Sequence, residues 1–388
     1  MPDPEATATG HPSRRSVLGL ALAGAAVPGM ARTATARPTA PQLLYVSAWK
    51  GQSVYGFRFD PRHGTLQPLE APAAVHSNWT TRHPRLPVLY VGDAADGGVV
   101  HSYSVDLADG ALSLTSEVST DTGGTAGGGI GTLSVDPESN TLLVANFEAG
   151  LAATVPIERD GRLGPVTSSV ADTGSGPNPR QLGPRAHDVV LDPTGRFALV
   201  ADFGADRVFI RPFDRHSGTL STGAAPYPLA PGSGPRRLVF HPDGRTAYLL
   251  SELTAEIQTL TWHPHSATLT LRQSTSTDSA GFTGTPSGAE LGISRDGRFV
   301  YASNRGENTL VVYATGTRGR LTFVQRLACG GTTPWTFALH EGGRWLLVAN
   351  EASSTLDVFA VDPRSGRLSP TGTSAAVPNP ASLTFVTP

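Results

Sequence analysis

Ala186-His187-Asp188-Val189-Val190-Leu191-Asp192-Pro193-Thr194-Gly195-Arg196, followed at once by Phe197-Ala198-Leu199-Val200-Ala201-Asp202, reads as two short strands joined by a tight turn. Its branched and aliphatic runs suit a pleated, packed surface. In the D-P-T-G turn, Pro pre-sets φ and Gly accepts a positive φ at no steric cost. The same pattern recurs outward in both directions. Its second strand begins at Leu43, Val88, Thr141, Phe197, Thr246, Phe299 and Trp345, with starts 45, 53, 56, 49, 53 and 46 residues apart. A period near 50 with several strands per unit is the signature of a bladed repeat.

Each unit reads as four antiparallel strands. An inner strand, a turn of the D-P-x-G-R kind and a second strand come first. A loop, a third strand, a turn such as Asp214-Arg215-His216-Ser217-Gly218 and an outer strand complete it. The first unit lacks an inner strand, and Pro380-Ala381-Ser382-Leu383-Thr384-Phe385-Val386 supplies one from the other end of the chain. The expectation for residues 41–388 is therefore an all-β, seven-bladed β-propeller, closed by pairing of its C-terminal strand with the first blade. Closure of this kind leaves few exposed sheet edges.

Composition agrees with many short strands and turns: 44 Gly, 32 Pro and only 16% charged residues in 388. Thirty Lys and Arg balance 32 Asp and Glu, so no global field draws the chain to nucleic acid or to an anionic membrane. The lone Cys329 excludes an intrachain disulfide and a thiolate metal cluster, and no metal-ligand spacing or cofactor motif stands out. Residues 1–40 differ in kind. Ser13-Arg14-Arg15-Ser16 opens an apolar run from Val17 to Val27, too short to span a bilayer. Small residues with cleavage-like sites at Ala31 and Ala36 follow it. This predicts a signal peptide of the twin-arginine type, although Val17 stands where that signal usually has Phe, and then a linker. The signal implies a secreted protein, periplasmic or extracellular. The absence of a cysteine near the cleavage site argues against a lipid anchor, and the mature protein is expected to be a monomer.

Strand direction decides which residues meet. The starts of inner strands and the ends of second strands share one face, at the mouth of the central channel. His187 precedes the inner strand of the fourth blade and Arg236 that of the fifth. Glu252 ends the fifth blade's second strand and Arg305 the sixth's. A general base, two cationic anchors and an imidazole are thereby expected round one concavity, where catalytic groups usually gather.

The stretches A-H-D-V-V-L-D-P-T-G-R (186–196), G-P-R-R-L-V-F-H-P-D-G-R (234–245), L-S-E-L (250–253) and S-R-D-G-R-F-V-Y-A-S-N-R-G (294–306) resemble the lactonase family of seven-bladed propellers. That family includes bacterial 6-phosphogluconolactonases and the fungal 3-carboxymuconate lactonizing enzyme. The resemblance covers about residues 42–387 and is specific in blades four to six. It implies catalytic roles for Glu252, His187, Arg236 and Arg305, and a cofactor-free opening of a lactone ring or the related lactonizing cycloisomerisation. Glu252 is then the general base and His187 the proton donor to the leaving alkoxide. The chain departs from the family where histidine is usual, at Thr132, Arg185, Arg237 and Gly292, and carries Trp335 where arginine is common. Arg237, Arg185, Trp335 and Asn304 are the candidate substrate-binding residues. Four guanidinium groups near one mouth imply an anionic small molecule, such as a carboxylated or sugar-acid lactone. A propeller that binds an anion or a protein partner without catalysis is the alternative from another class.

Overall fold

The six-residue second strands are buried along their whole length, from Val88–Asp93 in the second blade to Trp345–Asn350 in the seventh, except for the half-buried Phe197 that opens the fourth. Burial on both faces explains why they read as unbroken apolar runs rather than alternating ones. The computed structural model describes residues 40–387, apart from 52, 71–72, 95–96 and 121–128. Seven antiparallel sheets follow one another round a ring. The repeats located from sequence coincide with the observed second strands, Val88, Thr141, Phe197, Thr246, Phe299 and Trp345 each being a strand's first residue. The expected signal peptide lies outside the described residues. Among those described, no helix is long and apolar enough to cross a membrane.

The core lies between blades, not within them. Tyr90 and Val100 of the second blade pack on Leu142 and Val144 of the third, and Leu199 of the fourth on Leu249 of the fifth. Buried tyrosines repeat one inter-blade tie: the hydroxyls of Tyr45, Tyr90 and Tyr248 donate to the carbonyls of Gly110, Gly161 and Gly319, at 2.8, 3.0 and 2.8 Å. Each bond satisfies a phenol that burial would otherwise leave unpaired. One blade departs from four simple strands. Its outer edge is split into Thr219–Leu220 and Tyr227–Pro228, both paired with Arg207–Asp214, and Pro226 and Pro228 lack the N–H a continuous ladder needs.

The ring closes as the sequence predicts. Pro380–Val386 pairs with Gln42–Ala48, with Leu43 opposite Val386 and Leu44 opposite Phe385. Phe385 is buried against Phe59 and His340, with ring centroids 5.4 and 5.1 Å away. Truncation of this ring should cost about 3–5 kcal/mol, the usual range for a buried Phe→Ala change. Equilibrium denaturation of Phe385→Ala measures it, and a loss below about 1 kcal/mol would mean that the closing strand is not held by its core face.

Register supplies the feature that builds the mouth. Every inner strand shifts against its second strand near its start. One residue bulges out in six blades, Asn78, Gly131, His187, Arg236, Trp335 and Ala381, and in the sixth blade the shift spans Ala289 and Glu290. A bulge bends the strand and re-aims the side chain that it carries. In the third blade the position is Gly131, where a Cβ would lie 2.5 Å from the carbonyl oxygen of His187.

Candidate active site

Five residues in or just after the register shifts of the third to seventh blades, Thr132, Asp188, Arg237, Glu290 and Thr336, join in a polar belt. Thr132 donates to Asp188 at 3.0 Å. Arg237 donates to Asp188 and to Glu290, both at 2.7 Å, and Thr336 donates to Glu290 at 2.9 Å. The Arg237 guanidinium also lies 4.8 Å from the centroid of the Trp79 ring. Burial alone would lower the Arg237 pKa, but the carboxylates of Asp188 and Glu290 raise it instead. Arg237, expected to contact substrate, is therefore enclosed in a buried ion-pair network that locks three blades together.

The bulge residues and the residues that follow the second strands form the layer above. Glu252 is its centre. The carboxylate is buried, 2% exposed, and three guanidinium groups converge on it. Arg236 Nη1 reaches Oε2 at 3.1 Å, Arg305 Nη2 reaches Oε1 at 2.9 Å and Arg180 Nη1 reaches Oε1 at 2.7 Å. Arg236 also donates through Nε to the Ala289 carbonyl at 2.8 Å, and through Nη1 to Nε2 of His187. Thus His187, Arg236, Glu252 and Arg305 do assemble, from three successive blades. Arg180 was not visible in the strand pattern, because it sits in the Gly- and Pro-rich loop between the third and fourth blades.

Burial by itself would raise the Glu252 carboxyl. Arg305, Arg236 and Arg180 outweigh it and hold the group far below the ordinary carboxylate range. Burial, reinforced by the Arg236 charge, pushes His187 well below the ordinary imidazole range. Burial also draws Arg236 down to about 10, which leaves it charged at neutral pH. A guanidinium has only donors to offer, so Nε2 of His187 is an acceptor and its ring proton sits on Nδ1. His187 Nδ1 and Arg305 Nε are both buried without an acceptor among the described residues, a cost that native sites rarely carry without reason.

Aromatic rings wall the cluster. Phe147 meets the His187 ring edge-on at 5.5 Å, and Phe203 lies 4.7 Å beneath the Arg180 guanidinium. Trp335 faces Arg305 at 4.7 Å and Arg236 at 5.3 Å, and stacks on Trp49 at 5.7 Å. Trp335 is therefore at the mouth, as expected. Arg185 is not with the cluster: it donates to the Glu148 carbonyl at 2.6 Å and pairs with the Glu148 carboxylate. Asn304 is turned the other way, its amide donating to Thr277 at 3.0 Å and Asp278 at 2.6 Å while its oxygen accepts from the Glu307 N–H. Strand alternation aims adjacent residues apart, so Arg305 faces Glu252 while Asn304 fixes its own loop. At Gly292 a Cβ would come within 2.8 Å of the Phe337 ring, so no larger residue fits without movement there.

A family model described as "Lactonase, 7-bladed beta-propeller" matches residues 43–385. The chain belongs to the Lactonase family. Among its relatives, the 6-phosphogluconolactonase of Bacillus subtilis (strain 168) is 29% identical over 338 residues, which is 86% of this chain and 95% of that protein. The 6-phosphogluconolactonase of Yersinia pestis (strain Pestoides F) is 26% identical over 331 residues, 84% and 92% of the two chains. Among solved structures, the periplasmic gluconolactonase PpgL of Pseudomonas aeruginosa superimposes with a TM-score of 0.83 at 33% identity, over 90% of this chain and 99% of its own. Within this Lactonase-family propeller, the mouth is the one place among the described residues where a buried carboxylate, three guanidinium groups and a neutral imidazole meet.

Proposed function

We propose that the protein is an exported hydrolase that opens the ring of a sugar-acid or carboxylated lactone, with Glu252 as its general base. The observation that carries this reading is the convergence of Arg180, Arg236 and Arg305 on the buried Glu252. Lactonase family membership and relatives named for lactone hydrolysis support it. Water gives its proton to Glu252 as its oxygen bonds to the acyl carbon. The ring C–O bond then breaks, and the departing alkoxide takes the proton back, leaving a hydroxy carboxylate and one released proton. Arg236 and Arg305 stabilise the oxyanion that develops between these steps, a contribution that is often the largest in acyl transfer. Trp335, held between Trp49 and the two arginines, borders the lactone at the mouth.

His187 has a different part from the one the sequence suggests. A neutral imidazole whose Nε2 already accepts from Arg236 is no proton donor at that nitrogen. It orients Arg236 instead. The proton for the alkoxide is held by Glu252, which its arginines make a strong acid once protonated.

A proton-release assay of the purified protein tests the reading, run against neutral, carboxylated and phosphorylated lactones. Turnover of one class supports it, and silence across the panel from folded protein leaves an anion-binding propeller. The pH profile is a second test. Glu252 is ionised and His187 neutral throughout the neutral range, so kcat/KM should be flat between about pH 5 and pH 8, where an ordinary histidine would titrate. A bell with an inflection near pH 6.5 would return His187 to acid catalysis. Export from the N-terminal signal is tested by sequencing the secreted protein, which should begin after Ala31 or Ala36.

A further inference from the structure

Three cations on one carboxylate are more than neutralisation needs, and the three differ in kind. Arg236 and Arg305 have side chains 5% and 9% exposed, and each also donates to a backbone carbonyl of the sixth blade, Ala289 and Gly288 respectively. They are fixed. The Arg180 side chain is 57% exposed, and its hydrogen bond to Glu252 is joined only by its position over the Phe203 ring. Its backbone, in contrast, is held firmly. The next residue, Gln181, is fully buried, and its amide donates to the Phe203 carbonyl at 2.7 Å and to Asp206 at 2.8 Å. The Arg180 N–H donates to Asn178 Oδ1 at 3.0 Å, and Gly176 N–H to the Gln181 carbonyl at 3.0 Å. A long, solvent-facing side chain thus hangs from an anchored point at the rim, above a site with two surplus positive charges.

We propose that Arg180 is the residue by which this site recognises an anionic lactone, its guanidinium passing from Glu252 to a carboxylate or phosphate carried by the substrate and uncovering Glu252 in the same motion. This rests on the lactonase reading above and deepens it. The exchange suits the chemistry at both ends. A planar guanidinium pairs with carboxylate or phosphate as well as it pairs with Glu252. Glu252, relieved of one of three cations, becomes a better base only when a substrate with the right charge is in place. A neutral lactone leaves the clamp closed. Coupling of recognition to activation is thereby built into one side chain, with no movement of the loop.

The test compares Arg180→Ala and Arg180→Lys with the wild-type protein on matched anionic and neutral lactones. Arg180→Ala should lower the anionic-to-neutral ratio of kcat/KM by roughly 10–100-fold, the factor that a hydrogen bond to a charged group commonly supplies. Its acid limb should move to higher pH, because one of the charges that depress Glu252 is gone. Arg180→Lys should restore part of the ratio. An unchanged ratio, or an acid limb that stays in place, would overturn the proposal. If the wild-type protein turns over no lactone, the lactonase reading fails separately, and calorimetric titration with the dicarboxylate D-glucarate still reads Arg180: equal affinity of the wild-type and Arg180→Ala proteins would overturn its role, and a loss of roughly tenfold or more would sustain it as an anion-recognition residue.

Discussion

Glu252→Gln should lose roughly 10²–10⁴ of kcat on whichever lactone the wild-type protein turns over, the usual contribution of a positioned general base. The amide keeps the shape and an acceptor oxygen while removing the charge and the proton-carrying capacity. The same change has a second, independent consequence. Arg236 and Arg305 would be left as buried cations without their counter-charge, and breaking a buried pair in this way typically costs about 3–5 kcal/mol. The pH dependence separates the two effects. Glu252 has a folded pKa far below its unfolded value of about 4.3, so its stabilisation is fully present above that unfolded value and fades as pH falls toward the folded one. The stability gap between wild type and Glu252→Gln should therefore be widest at neutral pH and shrink below about pH 4. Denaturant titrations at neutral and acid pH measure it, and circular dichroism confirms the fold in which turnover is compared. A variant that keeps its full turnover would remove Glu252 from the chemistry.

Arg237→Ala should do its damage to stability. Its removal leaves Asp188 and Glu290 buried in the channel without their counter-charge, with an expected cost of about 3–5 kcal/mol. The denaturation midpoint should fall with little change in slope, because the area exposed on unfolding is nearly the same. A substrate-binding arginine would behave in the opposite way, raising KM at unchanged midpoint. That result would overturn the belt as a structural device and restore Arg237 to the recognition role its sequence position suggests.

The contrast between Arg236 and Arg237 shows where sequence reading reaches its limit. Repeat period, strand order and the closing strand were all legible, since each depends on apolar runs and turn residues that alternate locally. Assembly of His187, Arg236, Glu252 and Arg305 followed from strand direction with the aid of motif resemblance. The partners of the neighbouring arginine lie 49 and 53 residues away, in adjacent blades, and only the register of the bulges brings them to one level. Arg180 was missed for a related reason. It belongs to no strand, and a period read from strands says nothing about where a connecting loop places its side chains. Asn304 was misjudged through proximity in sequence to Arg305, although alternation sends the two in opposite directions.

The pairing of Leu43 with Val386 also sets a schedule for the molecule's birth. Within the propeller, the strand made first lies opposite the strand made last, and no local partner can take that place. At translation rates of about 5–20 residues per second, the open edge waits for tens of seconds before its neighbour exists. During that interval the strand Gln42–Ala48, with its apolar run from Leu43 to Val46, offers unpaired amides to any other nascent chain. Synthesis of this propeller therefore has a vulnerable interval that ends only once Pro380–Val386 is available, and shielding by a chaperone matters most until that strand has emerged.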